Sequence, residues 1–288
     1  MNRAGRKAVF ILVLVAGAVL AAALPAHAWG PATHLELARQ LLAAKELLPL
    51  PVASLLAAFP YDFLYGNVAA DMIIGKKFVD PLRHCHSWPV AFELFAKAAT
   101  PARQAFVYGY LAHLAADVVA HNSYVPTQMV RHYRHKGAPH LYWEMRFELT
   151  VPQKLWPYAH LISRRVRWDN DPLMMKNLTP TIFSFPVNRR LFNTMLLLNR
   201  TRRWQQLLGR LEHVSRYGLP AGEVAAYKQR CLANMREILA AFDAAALLAS
   251  DPRGEENLAL ARELARRFRG RGRPAAAELR AKEERFRP

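Results

Sequence analysis

The chain has 288 residues, of which 52% are hydrophobic and 22% are charged, and its formal net charge is +18. This composition excludes a chain that is disordered throughout and allows one large domain or two small ones. The positive charge indicates anionic partners such as phospholipid surfaces, nucleic acid or phosphate esters, although a basic surface is also a common way for a protein to stay soluble.

The N-terminus has the order of segments that is typical of a secretory signal peptide. A short basic segment (residues 1–7) precedes an apolar run over residues 8–24, and a proline and the small-x-small triplet AHA (residues 26–28) follow. We therefore predict a signal peptide over residues 1–28, export to the periplasm or the medium, and a mature chain that starts at Trp29. The apolar run is slightly long, so an uncleaved membrane anchor is the alternative.

The mature chain is predicted to be all-α, because apolar residues recur at helical spacing and alternating strand patterns are scarce. Helices are predicted over residues 35–48 (with Thr33 as N-cap), 89–99, 102–120, 141–150, 189–217, 221–249 and 257–268. Residues 172–186 contain several prolines and are predicted to form a loop. The domain prediction is a core over residues 29–151, further helices over 152–262 that complete or extend it, and a basic, disordered tail over 263–288.

Residues that commonly bind metals recur at one-turn spacing in the first half of the mature chain. The sequence HLAADVVAH places His113, Asp117 and His121 at i, i+4 and i+8, which is one face of an α-helix. Their neighbours are apolar, so this face is expected to be at least partly buried, where two imidazoles and a carboxylate are costly without a partner. A zinc ion would be such a partner, because both histidine nitrogen and carboxylate oxygen suit it.

Further ligand-type residues occur in short groups along the same half of the chain. They are His34 in the opening stretch, Asp71 in YGNVAADM, His84 and His86 in HCHSW, and His140 and Glu144 in HLYWE. Asp62 is the alternative to Asp71 as a candidate ligand, and His84 is the alternative to His86. Taken singly, each group has an ordinary structural explanation, such as an i,i+4 pair or a helix cap. The histidines at 132, 135 and 160 are expected to be structural or on the surface.

The two cysteines, Cys85 and Cys231, allow one disulfide in an oxidising compartment, and two separate thiols are the alternative.

The order of WGPATHLEL, YGNVAADM, HSW, GYLAHLAADVVAH and HLYWEMRFE resembles the zinc-dependent phospholipase C superfamily, which includes the S1/P1 nucleases. The closest resemblance is to the catalytic domain of the glycosylphosphatidylinositol-type phospholipase D branch. It covers residues 29–150 and implies an all-α domain with three zinc ions in one cleft between helices. The interval from Asp117 to His121 is shorter than in the secreted bacterial phospholipases and fits the phospholipase D branch better.

The resemblance also implies which residues hold each ion. The first ion would be held by His86, His113, Asp117 and Asp71. The second would be held by the α-amine and carbonyl of Trp29, by His34 and by a bridging Asp117. The third would be held by His121, His140 and Glu144. His86 is preferred to His84 because the family has an aromatic residue close behind its histidine. The aspartate matched by Asp71 is a ligand in some members and a proposed general base in others.

The predicted reaction is phosphodiester hydrolysis, because clustered zinc ions activate water and hold phosphoryl oxygens. The leading hypothesis is a phospholipase C-like enzyme that acts on phospholipid head groups, and an anionic membrane surface is a candidate partner. The aromatic residues near the ligands suit a lipid substrate; they are Trp88, Phe92, Tyr124 and Trp143. The alternatives are an extracytoplasmic S1/P1-like nuclease and a non-enzymatic, membrane-associated protein with a structural zinc site.

Overall fold

The computed structural model describes residues 29–73, 83–135, 139–179, 183–198, 201, 206, 217–271 and 274–286. Within these ranges the chain forms helices and no strand, so the predicted all-α class is confirmed. The predicted signal peptide, residues 1–28, lies outside the described residues. Among the helices that are described, none combines the length and apolar character that crossing a bilayer requires.

The α-helices, in chain order, are α1 (Pro31–Ala43), α2 (Leu50–Ala58), α3 (Pro60–Ala69), α4 (Trp88–Ala96), α5 (Pro101–Val119), α6 (Val125–Arg131), α7 (Pro139–Glu148), α8 (Trp156–Asn177), α9 (Phe185–Leu198), α10 (Ala221–Ala241), α11 (Glu255–Arg271) and α12 (Ala276–Glu284). Short 3-10 turns are Lys45–Leu47, Ala70–Met72, Gln153–Leu155, Phe242–Ala244 and Ala246–Ala249, and a π-helical turn, Ala120–Tyr124, joins α5 to α6. Many of the α-helices begin with a proline in their first turn, where the missing N–H costs no hydrogen bond.

Helix α5 is the centre of the fold, and it packs against α3 on one side and α10 on the other. Gly66 of α3 and Gly109 of α5 lie at the first of these crossings. A Cβ added to Gly66 would lie 1.9 Å from the Phe106 carbonyl oxygen, and one on Gly109 would lie 2.0 Å from that of Phe63. The two backbones therefore touch, and only glycine fits at either position. This close approach brings the segment after α3, which carries Asp71, to the inner face of α5.

Where the sequence predicts a disordered tail over residues 263–288, the described parts of that tail, residues 263–271 and 274–286, are largely helical. Helix α11 continues to Arg271, and α12 packs against α6. Arg131 Nε lies 3.1 Å from Glu283 Oε2, and the Ser123 hydroxyl donates to the carbonyl of the buried Phe286. The composition of the tail is basic, but these few specific contacts hold it on the helical core.

The expectation of a loop over residues 172–186 is wrong in its first part. Helix α8 continues through Pro172 to Asn177, and α9 begins at Phe185. Asn170 Nδ2 donates to Asp62 Oδ1 at 2.7 Å, and Asp171 accepts a hydrogen bond from the Tyr65 hydroxyl. These contacts with α3 hold the helix together at its proline, where one backbone hydrogen bond is lost.

The predicted helix ends also need correction. The predicted helix over residues 35–48 ends at Ala43, and most of residues 199–216, in the predicted helix over 189–217, lie outside the described residues. Helix α1 starts at Pro31 after the N-cap residue Gly30, so Thr33 lies in the first turn and is not the N-cap. The predicted helix over residues 221–249 ends at Ala241, because Phe242 has a φ of 51°. Cys85 and Cys231 are both buried and no disulfide joins them, so the disulfide alternative is not realised.

Candidate metal centre

The ligand-type residues of α5 divide between two clusters. His113 and Asp117 lie in the last two turns of α5, but His121 lies in the π-helical turn that follows. A π-helical turn adds a residue to the helical repeat and rotates the side chains after it. The expectation of one α-helical face over all three residues therefore holds for His113 and Asp117, while His121 faces a second cluster.

The first cluster consists of His34, Asp71, His86, His113 and Asp117, all buried. Asp117 lies among three imidazoles. Its Oδ1 is 3.1 Å from His34 Nε2, and its Oδ2 is 3.3 Å from His86 Nε2 and 3.2 Å from His113 Nε2. Asp71 Oδ1 is 3.1 Å from His86 Nε2 and 3.8 Å from His113 Nε2. Four segments of the chain thus converge on one group of nitrogen and oxygen atoms.

The ring of His113 is held in a fixed orientation. Its Nδ1 donates to the carbonyl oxygen of Asn67 at 2.9 Å, so the Nε2 lone pair faces the carboxylates. The ring of His34 stacks on that of His113, with 3.8 Å between centroids. A histidine that donates its second ring nitrogen to a main-chain carbonyl is the usual arrangement of a metal ligand.

The second cluster consists of His121, His140 and Glu144. Helix α7 places His140 and Glu144 one turn apart, with His140 Nε2 2.6 Å from Glu144 Oε1. His121 Nε2 lies 3.6 Å from the same oxygen. His121 Nδ1 donates to the carbonyl oxygen of Pro252 at 2.6 Å, so this imidazole is oriented in the same way as that of His113.

The ionisation of these groups reflects their burial. Burial raises the pKa of Glu144 to about 8, although the contact with His121 opposes the shift. Burial alone would raise the pKa of Asp117, but His113 and His34 outweigh it and hold that pKa well below its usual value. Burial lowers the pKa of His34, helped by the neighbouring His113. Burial alone would lower the pKa of His113, but the charges of Asp117 and Asp71 outweigh it and raise that pKa. The first cluster therefore holds an ionised carboxylate beside His34, whose pKa is lowered, and beside His113, which would release its proton on binding a metal.

The polar atoms in these clusters fit a zinc site. Both ring nitrogens of His34, both carboxylate oxygens of Asp117, His121 Nε2 and both oxygens of Glu144 are buried without a hydrogen bond of acceptable geometry. Buried polar atoms in such numbers are costly, and a cation bound in each cluster would satisfy them. Imidazole nitrogen and carboxylate oxygen together suit zinc. The sets His34–Asp71–His113, His86–His113–Asp117 and His121–His140–Glu144 each bring three such atoms within 4.8 Å of one another.

Trp29 lies directly beside the first cluster. Its indole is fully buried against Tyr124 and Phe147, with ring centroids 5.0 and 3.8 Å away. The indole Nε1 donates to the carbonyl of Ala116 at 3.1 Å, one residue before Asp117. The side chain thus fixes Trp29 on α5. The role of its α-amine and carbonyl as ligands stays a prediction.

The competing residues have partners outside the first cluster, although His84, Cys85 and His86 also bring three ligand-type atoms within 4.8 Å of one another. His84 Nδ1 accepts a hydrogen bond from the main-chain nitrogen of His86 at 2.9 Å, so it supports the turn. Asp62 accepts from Asn170 on α8. The ring of His132 stacks on that of Trp143 with 4.8 Å between centroids, and burial lowers its pKa to about 4. His160 lies on α8, where only its place in the helix is described.

Two supporting residues were not singled out from the sequence. Glu148, one turn after Glu144 on α7, accepts hydrogen bonds from the main-chain nitrogens of Ala32 and Thr33 at 2.7 and 2.9 Å and from the Thr33 hydroxyl. It thereby caps the helix that carries His34 and connects it to the helix that carries His140. Its position in HLYWEMRFE, four residues after Glu144, is the sequence signal that could have identified it. Gly254, which contacts His121, has no such signal, because it lies far along the chain.

An all-α domain that buries two clusters of histidine and carboxylate side chains between its helices belongs to the class of helical proteins built around a metal centre. A family model described as zinc dependent phospholipase C matches residues 33–178, just over half of the chain. The chain belongs to the zinc-dependent phospholipase C family. The match includes every candidate ligand except Trp29. Comparisons with curated proteins and with solved structures found no match.

Proposed function

We propose that the chain is an exported zinc-dependent phosphodiesterase that hydrolyses phospholipid head groups in the manner of a phospholipase C. The observation that carries this proposal is the convergence of His34, His86 and His113 on the two oxygens of Asp117. Family membership supports zinc as the metal and phospholipid as the substrate class. The phosphodiester specificity, the export and the kinship with the phospholipase D branch are parts of the proposal.

Three zinc ions per chain are proposed, with the ligand sets that the family resemblance implies. The two oxygens of Asp117 face different histidines, which supports a carboxylate shared between two ions. His121, His140 and Glu144 would hold the third ion. Zinc in these places supplies Lewis-acid activation of water and neutralises charge on the phosphate group.

The residues of this chain would divide the remaining work between orientation and proton transfer. Asn67 and Pro252 hold the rings of His113 and His121 so that each Nε2 faces the cluster. Asp71, whose Oδ1 lies 3.1 Å from His86 Nε2, is proposed as a ligand or as the general base. Burial of these groups keeps bulk water from competing for their hydrogen bonds.

The proposal is tested on purified protein that begins at Trp29. Zinc per chain is counted, and hydrolysis of phosphatidylcholine, phosphatidylinositol and single-stranded DNA is assayed side by side. We expect close to three zinc ions, head-group release, and a rate that rises when monomeric lipid becomes micellar. DNA cleavage that falls steeply with salt would favour the nuclease instead. Full zinc content without hydrolysis of any substrate would favour a structural zinc site, and zinc well below two per chain would rule out the trinuclear centre.

A further inference from the structure

The outer face of α8 carries large apolar side chains that the fold does not bury. Leu161, Trp168 and Met175 are 55%, 69% and 52% exposed. They are seven residues apart, so the three side chains fall within about 40° around the helix axis. The opposite face of the same helix supplies Ile162, Val166, Leu173 and Met174 to the core. Helix α8 is therefore apolar on both faces, and only one face is explained by folding.

The charged residues beside this stripe are mostly basic. Arg164, Arg165, Arg167 and Lys176 flank it, and Asp169 is the exposed acidic residue on the same helix. The guanidinium of Arg167 lies 4.4 Å from the ring centroid of Trp168, and that of Arg165 lies 4.0 Å from the ring centroid of Tyr61. A tryptophan with arginines around it is typical of a surface that enters the boundary between lipid head groups and acyl chains.

A second exposed apolar pair provides a contrast. Leu47 and Leu50 are 60% and 78% exposed. The neighbouring charged residues are Lys45 and Glu46, whose opposite charges cancel. This pair offers apolar area without net charge. The α8 face combines apolar area with a surplus of positive charge. This combination favours an anionic lipid surface over a neutral partner as the surface that α8 contacts.

We propose that the face of α8 formed by Leu161, Trp168 and Met175 docks on an anionic phospholipid bilayer. Met175 also lines, together with Met174 and Leu178, a cavity of about 240 Å³ whose lining includes Ile73, two residues after Asp71. A bilayer on this face would therefore lie beside this cavity. The inference rests on the proposed function, because the bilayer would supply the substrate.

The test measures binding to vesicles separately from hydrolysis. Protein that begins at Trp29 is sedimented with vesicles of phosphatidylcholine alone and of phosphatidylcholine with an equal part of phosphatidylglycerol, and head-group release is recorded in the same samples. We expect binding to the anionic vesicles that weakens as salt is added. The variant Leu161→Ser/Trp168→Ser should bind them about tenfold more weakly or worse, because two large apolar side chains no longer enter the interface.

The matched control is Leu47→Ser/Leu50→Ser, which removes exposed apolar side chains elsewhere and should bind as the wild type does. Thermal unfolding and zinc content of both variants check that they fold. Equal binding by the α8 variant and the wild type would overturn the proposal. So would a change of oligomeric state in the α8 variant, which would assign this face to a second copy of the chain. Hydrolysis of monomeric short-chain lipid by the wild type tests the proposed function independently, whatever the vesicles show.

Discussion

The imidazole of His121 donates from Nδ1 to the carbonyl oxygen of Pro252 at 2.6 Å. Two further contacts hold the segment that contains Pro252. Asn122 Nδ2 donates to the Asp251 carbonyl at 2.8 Å, and the indole of Trp88 on α4 donates to the Ser250 carbonyl at 2.8 Å. The match to the family model ends at residue 178. The C-terminal part of the chain therefore orients a candidate ligand from outside the matched region.

Substitution of Gly254 tests this arrangement. Gly254 has a φ of +56°, and a Cβ there would lie 2.5 Å from the His121 carbonyl oxygen and 2.6 Å from its Cβ. We expect Gly254→Ala to lower the free energy of unfolding by about 1–3 kcal/mol, since it adds strain at a left-handed residue. It should also reduce zinc occupancy by displacing His121. Zinc counting and denaturant unfolding measure the two effects.

The control for that variant is Gly222→Ala in α10, where an added Cβ meets nothing within 4 Å. Alanine is the better helix former, so this change should leave zinc content unaltered and stability equal or slightly raised. If Gly254→Ala keeps its full complement of zinc, the loop after α10 does not position His121.

The neighbouring histidines His84 and His86 are predicted to differ in function. His86 Nε2 faces Asp71 and Asp117, whereas His84 Nδ1 accepts a main-chain hydrogen bond within the turn. Loss of a residue that only hydrogen-bonds to a metal ligand weakens metal binding by up to roughly 100-fold. We expect His86→Ala to weaken zinc binding by more than this, because His86 is a proposed ligand itself. His84→Ala should cost less. Zinc affinity measured by competition with a chelator distinguishes them, and a larger loss for His84→Ala would reverse the assignment.

The buried carboxyl of Glu148 predicts how stability depends on pH. Burial raises its pKa to about 7, opposed by its hydrogen bonds with Thr33 and Ala32. A carboxyl group whose folded pKa lies above its unfolded value binds protons more tightly in the folded state. Its contribution to stability is therefore full below about pH 4.5 and is lost as the pH rises through about 7. The loss across this window amounts to about 3 kcal/mol.

The variant Glu148→Gln removes the titrating group and keeps its shape. We expect its free energy of unfolding to fall less steeply between pH 5 and 8 than that of the wild type, while Glu256→Gln, on an exposed helix end, follows the wild-type curve. The unfolding free energy at several pH values is the measurement. Parallel curves for wild type and Glu148→Gln would contradict a raised pKa in the folded protein.

Features of the site that depend on local residue spacing could be predicted from the sequence. Features that depend on contacts between distant parts of the chain could not. The i,i+4 pairs His113–Asp117 and His140–Glu144 were visible because one turn of helix places their side chains together. The π-helical turn at His121 was not, since no local pattern separates it from a continuing α-helix. Pro172 was expected to end a helix, but Asn170 and Asp171 hold α8 to α3 across it. The support from Pro252 depends on a contact over 131 residues, which no local pattern records.

Asp117 and Asp62 offer a matched pair of aspartates. Both are buried, but Asp117 lies among three imidazoles while Asp62 accepts a hydrogen bond from Asn170. Asp117→Asn should lose zinc from the first cluster and with it nearly all hydrolysis, because a neutral amide is a poor substitute for a shared carboxylate. Asp62→Asn should retain zinc and lose only stability. Zinc content and initial rates decide, and an active, fully loaded Asp117→Asn protein would exclude a shared ligand.

The proposed cleavage before Trp29 would create an α-amine next to the first cluster. Trp29 is anchored by its indole hydrogen bond to Ala116, so its main-chain atoms lie beside the helix that carries Asp117. If its α-amine is a ligand, a protein that retains Ala28 has an amide nitrogen there, which is a poor metal ligand. We expect this extended form to bind one zinc ion fewer and to hydrolyse lipid far more slowly than the form that begins at Trp29. Removal of the extra residue by an aminopeptidase should restore both properties, and equal zinc content in the two forms would show that the amine is not a ligand.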